Sequence, residues 1–165
     1  KTGQGAIYQL VDNYTLFYYH CIRKNAFADE NYWTHSYLGS DHNTWMGLAF
    51  ERVCLQHIGQ IKRALGIGGI ISNVCSWTNS GAQIDLLIAR GDNVINVCEM
   101  KYSRDLYAIN KATADGLLNK VNVFKESTHT RCAIHVTMVT TFGVEHNKYS
   151  NVVHNEITMD DLFNL

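Results

Sequence analysis

The sequence predicts an α/β fold, a mixed central sheet flanked by helices. Three consecutive stretches alternate apolar and polar residues and are separated by turn residues. A helix-period segment precedes them. A second helix-period segment follows, and after it a β-branched run.

The elements follow in chain order. Ile7, Leu10, Val11, Tyr14, Phe17 and Tyr18 recur at helical spacing and predict a helix with an apolar face within the first 20 residues. Residues 24–43 are polar and irregular and predict a loop, anchored by Trp33 and Tyr37. A helix is expected from Thr44 to Leu65, ended by the GIGG at 66–69. Strands are expected near 70–77, 82–89 and 93–100, with turns at Ser80-Gly81 and Gly91-Asp92. A helix is expected over 113–126, with Leu117, Val121 and Phe124 on its apolar side. CAIHVTMVTT at 132–141 reads as a strand, and ITMDDLF as a short strand and a final turn. Residues 1–43 thus form an N-terminal helix and loop, and residues 44–165 the main domain.

Composition narrows the function. The chain has 165 residues, enough for one proper core. Its 46% apolar and 18% charged content argues against disorder. The net charge of −1 argues against holding nucleic acid by overall charge, so such contact would need a local patch or a bound cation. Apolar runs fall well short of the roughly 18 residues of a membrane helix, and no signal peptide is visible. Five cysteines without CxxC spacing point to free thiols in a cytoplasmic protein rather than a disulfide framework or zinc site. The chain starts at Lys1, which suggests a piece of something longer.

The chemistry-bearing residues lie on the second and third strands. In AQIDLLIA, alternation puts Ile84, Leu86 and Ile88 on one face and Gln83, Asp85 and Leu87 on the other. In VINVCEMK, Ile95, Val97, Glu99 and Lys101 share a face. Hairpin pairing brings Asp85 and Glu99 within reach of one ion, with Lys101 beside them. Clustered carboxylates repel unless a cation neutralises them, and hard oxygen ligands suit Mg²⁺ or Mn²⁺. A neighbouring lysine holds a water or stabilises phosphate charge. The rival reading is a salt bridge among Asp85, Glu99 and Lys101 with no metal, since cross-strand charge pairs are common.

Glu51 favours the metal site. Helical projection puts Gly47, Leu48, Cys54, Leu55 and Ile58 within about 60° of it, and Arg52, Gln56, Gln60 and Arg63 on the far side. A carboxylate at the centre of an apolar face calls for a bound partner. That partner is either the ion or a lysine such as Lys62.

These residues resemble the PD-(D/E)XK nuclease superfamily, whose pattern is a helical Glu, an Asp on one strand and Glu-x-Lys on the next. The matching residues are Glu51 in GLAFE, Asp85 in QIDLL and Glu99-Met100-Lys101 in CEMK. The resemblance implies a restriction-endonuclease-like fold over about residues 44–142. It implies Asp85 and Glu99 as ligands of Mg²⁺ or Mn²⁺, with Glu51 an accessory ligand or acting through a water. Lys101 would position the attacking water and stabilise charge on phosphorus, and Gln83 stands where relatives carry a further polar residue.

GAIYQLVDNYTLFY, DENYW, GLAFERVCLQHI, GAQIDLLI and NVCEMKYS are also similar to the C-terminal region of archaeal-type AAA+ ATPases. In that family an ATPase and a winged helix precede a nuclease-like domain. No P-loop GxxxxGK[ST] occurs here, so residues 1–43 would join a missing winged-helix and ATPase part. The expected partner is nucleic acid, DNA before RNA, with no membrane. The expected function is phosphodiester hydrolysis; a regulatory or nucleic-acid-binding module on a nuclease fold is the alternative.

The remaining candidates carry less. Eight histidines show no HxxxH or HExxH pair and are taken as surface or packing residues. Ser76, Ser80 and Ser103 lack a GxSxG setting. Lys120 and Lys125 are placed on a solvated helix face, with contact to a phosphate backbone as the alternative.

Overall fold

The computed structural model describes residues 10–23 and 31–164. The chain divides into two compact units, Lys1–Arg52 and Val53–Leu165. The expected N-terminal helix falls partly on residues 1–9, outside the described residues.

In the first unit, α1 spans Asn13–Phe17 and continues as a π-helical turn over Tyr18–Ile22. The Asp12 carboxylate caps it by accepting from the Thr15 amide at 2.6 Å. The part of the expected 24–43 loop that is described contains a short helix, α2 (Tyr32–His35), and the first turn of α3 (Ser40–Gln56). Trp33 is an anchor, as expected: its ring meets Phe17 edge-on at 4.9 Å and lies 4.2 Å from His42. The far side of α3 is not simply polar. Arg52 stacks over Trp45 at 5.1 Å and donates from Nε to Asn13 at 3.4 Å.

In the second unit, α4 (Ile58–Ala64) shows that the expected 44–65 helix is broken at His57. The His57 ring is the cause. Its Nδ1 takes the Val53 carbonyl at 2.7 Å, the acceptor that the His57 amide would use in an unbroken helix, and the amide turns to Cys54 instead. The expected glycine stop is present. Gly66 has φ +69°, and the amides of Gly66 and Ile67 bond the carbonyls of Arg63 and Lys62, a Schellman closure.

The central sheet has the order β1-β2-β3-β5-β7. Its strands are β1 (Ser72–Asn79), β2 (Ala82–Arg90), β3 (Val94–Lys101), β5 (Ala133–Thr140) and β7 (Asn155–Thr158). β1–β2 and β2–β3 are antiparallel; β3–β5 and β5–β7 are parallel. The sheet is therefore mixed, as predicted. The β2–β3 turn reverses at Asn93, with φ +63°, rather than at the glycine before it; asparagine tolerates this left-handed conformation. The short pair β4 (Tyr107–Ala108) and β6 (Val144–Glu145) forms a separate two-stranded sheet.

β2 departs from simple alternation. Its register with β1 runs Cys75↔Leu87 and then Trp77↔Ile84, so β2 carries one extra residue at Asp85–Leu86. The bulge flips the face order. Ile84 and Leu87, expected on opposite faces, join one cluster with Ile95, Val97 and Phe124. On β3 the expected alternation holds.

Between β3 and β5 runs α5 (Lys111–Thr128), capped by the Asn110 side chain on the Thr113 amide. Its buried residues Ala114, Leu117 and Phe124 pack on the sheet face that carries Ile95, Val97, Val136 and Met138. Each of these apolar side chains larger than alanine contributes about 2 kcal/mol of burial. The final turn is a helix, α6 (Met159–Phe163), opened by a capping box between Thr158 and Asp161. Among the described residues, no helix is long and apolar enough to cross a membrane.

Candidate functional site

The site is built at the C-terminal end of β3. The inward face of that strand begins with Ile95 and Val97 against α5 and ends with Glu99 and Lys101. Alternation thus carries Glu99 to the margin of the apolar layer, where it is buried to 7% exposure. A carboxylate so buried needs compensation. Lys101 gives one ammonium, with Nζ 2.9 Å from Oε1. Lys120 gives a second, with Nζ 2.6 Å from Oε2.

Lys120 is the residue that the sequence reading missed. It was placed on a solvated face, yet its side chain keeps only 24% exposure. The signal was available: projection puts Lys120 about 60° from Leu117, at the edge of the buried stripe of α5. The arm of a lysine lies along that stripe while its charged end reaches a carboxylate.

Asp85 sits in the β2 bulge. The β2–β3 pairing runs from Ala89↔Ile95 to Leu86↔Cys98, and one residue further on each strand stand Asp85 and Glu99. Gln83 donates from Nε2 to Asp85 Oδ1 at 2.7 Å. Lys101 feels both acids. Burial pulls its pKa down, but the attraction of Glu99, with smaller parts from Tyr107 and Asp85, outweighs this and holds it above the ordinary lysine value. Lys101 is therefore a cation and a hydrogen-bond donor at neutral pH, not a base.

Glu51 lies in α3 of the first unit and is half-buried. Its expected apolar surroundings are only partly so: Cys54 is buried, while Leu48 and Leu55 remain 50% and 37% exposed.

A pocket of about 270 Å³ opens beside the acid–lysine cluster, lined by Glu99, Lys101, Tyr107, Thr113, Leu117 and Lys120 among others. Two ammonium groups and two hydroxyls on its wall suit an anionic group such as phosphate.

Among the described residues, no three His, Cys, Asp or Glu side chains gather closely enough to hold a metal by themselves. The donor chemistry still fits Mg²⁺ or Mn²⁺. Such ions often take one or two carboxylates and complete their shell with water and substrate phosphate, and Asp85 and Glu99 offer that pair. Both oxygens of Glu99 already carry an ammonium, so a cation there would compete with two lysines.

Fold and site together define a mixed α/β domain with a buried glutamate held between two lysines beside an open pocket. The chain belongs to the DUF234 family, described as archaeal and bacterial proteins of unknown function. The match covers residues 15–116 and so includes Glu51, Gln83, Asp85, Glu99 and Lys101, and ends before Lys120. A crystal structure of a protein of unknown function, AF1548, is similar at 14% identity and a TM-score of 0.45, over 66% of this chain and 64% of that one. The chain thus spans less than two thirds of that protein. No curated protein matches the chain.

Proposed function

We propose that this chain is a metal-dependent nuclease-like domain that hydrolyses phosphodiester bonds of DNA, with RNA as the second substrate, as the C-terminal part of an ATPase. One observation carries the reading. The Glu-x-Lys pair ends the inward face of β3, and Asp85 stands on β2 one residue beyond the last pair, Leu86↔Cys98, as Glu99 does on β3. The strand order, two antiparallel hairpins followed by a helical crossover to a parallel strand, agrees with the nuclease fold that the sequence resembles.

Asp85 and Glu99 would hold Mg²⁺ or Mn²⁺. When bound, the ion would supply positive charge for a phosphate oxygen and lower the pKa of a water. Lys101, kept protonated by Glu99 and Asp85, donates to the attacking water or to a non-bridging oxygen as charge builds in the transition state. Gln83 holds Asp85 in place through its amide.

Cleavage of labelled DNA and RNA in Mg²⁺ or Mn²⁺, by wild type and by Asp85→Ala and Lys101→Ala, tests the reading. Activity lost in both variants supports it. No cleavage by the wild type, even joined to ATPase partners and ATP, overturns it.

A second reading has one observation in its favour. Each oxygen of Glu99 meets an ammonium, as expected of a non-catalytic regulatory or nucleic-acid-binding module that keeps a nuclease fold. Such a module would bind DNA through Lys101 and Lys120 with no need for metal.

A further inference from the structure

We propose that Lys120 is an exchangeable counter-ion that competes with the divalent cation for Glu99, so that metal loading of the site releases Lys120 to bind phosphate in the adjoining pocket. This rests on the metal-site reading of Asp85 and Glu99.

Three observations lead to it. Each Glu99 oxygen is held by one ammonium, at 2.9 Å from Lys101 and 2.6 Å from Lys120. A cation sharing Glu99 with Asp85 competes with them, because an ammonium and a divalent ion at one carboxylate oxygen repel each other. The two lysines differ in freedom to leave. Lys101 stands on β3 two residues from Glu99 and also lies in the field of the Asp85 carboxylate, so two acids hold it. Lys120 comes from a different element, α5, and its ion pair is with Glu99. Finally, Lys120 lines the same pocket as Lys101, Tyr107 and Thr113. A displaced ammonium turns into space that already suits an anion.

The consequence is a coupling. Metal binding frees a phosphate ligand, and phosphate that engages Lys120 clears Glu99 for metal, so each favours the other. An ion in solution without nucleic acid meets a site closed by its own lysine, which limits idle metal loading.

The test is Mn²⁺ titration into the full chain, followed by the paramagnetic resonance signal of free Mn²⁺, for wild type, Lys120→Met, Lys120→Gln and Lys120→Arg. Thermal melting checks that each variant is folded. Removing the competing ammonium is expected to tighten Mn²⁺ binding by roughly tenfold in Lys120→Met and Lys120→Gln, equivalent to about 1.4 kcal/mol. Lys120→Arg keeps the charge and is expected to stay within about twofold of wild type. Asp85→Ala serves as the control for the site itself. If Mn²⁺ binding depends on Asp85 but is no tighter in Lys120→Met or Lys120→Gln, the counter-ion proposal falls and the metal site stands. If no variant binds Mn²⁺ in an Asp85-dependent way, both fall.

Discussion

Lys120 Nζ lies 2.6 Å from Glu99 Oε2 and ties the middle of α5 to the end of β3. With Lys101 on the other oxygen, Glu99 is paired from two elements. Glu99→Gln is expected to lower stability by about 1–3 kcal/mol in urea unfolding without metal, because two partly buried ammonium groups lose their carboxylate. The estimate is kept below that of a fully buried pair, since the Lys101 side chain retains 41% exposure. A more stable Glu99→Gln would mean that Glu99 is a strained acid awaiting an ion.

The strand pair was legible in the sequence because alternation and turn residues are local signals. Glu99 and Lys101 share a face of β3 as expected, and the Gly66 stop and the α5 helix fall where their residues predict. What escaped depends on contacts between distant segments or on a side chain competing with its own backbone. The β2 bulge shows only against β1. The break at His57 needs its ring on the Val53 carbonyl. Lys120 looked like one lysine among several on a helix, and only its partner on β3 distinguishes it.

The pair formed by His135 on β5 and His154 just before β7 is expected to give a pH response. His135 and His154 stack with ring centroids 5.1 Å apart. Burial, then the neighbouring His154 and Arg90, hold the pKa of His135 below its ordinary value, with Asp92 opposing. The unfolded chain therefore binds the proton more readily, and the stability linked to His135 is present above about pH 6.5 and is lost as pH falls through the lower folded value. Melting temperature is expected to drop between pH 7 and 5, less steeply in His135→Asn. Equal slopes would remove His135 as the source.

Thiol chemistry separates surface from core. Cys98 is buried and its pKa is pushed up to about 12, by burial first, whereas Cys75 on the edge strand β1 is exposed. Brief alkylation of the folded chain at pH 8, read by peptide mass spectrometry, is expected to label Cys75 and spare Cys54 and Cys98. Labelling of Cys98 at the rate of Cys75 would contradict the packing of β3.

The α6 capping box links the last strand to the last helix. The Thr158 hydroxyl and amide both donate to the Asp161 carboxylate at 2.8 Å. Thr158→Ala is expected to cost about 1 kcal/mol in chemical unfolding, and a neutral result would show that burial of Leu162 holds the helix without its cap.

The central claim is that Asp85, Glu99 and Lys101 form a working phosphodiesterase site. The most direct measurement is cleavage of end-labelled DNA by the wild type in Mn²⁺, set against Asp85→Asn, a near-isosteric change that removes one acid charge. The account predicts products with the wild type and a loss of at least about a hundredfold with Asp85→Asn, about 2.7 kcal/mol of transition-state stabilisation. Equal cleavage by both proteins would contradict it.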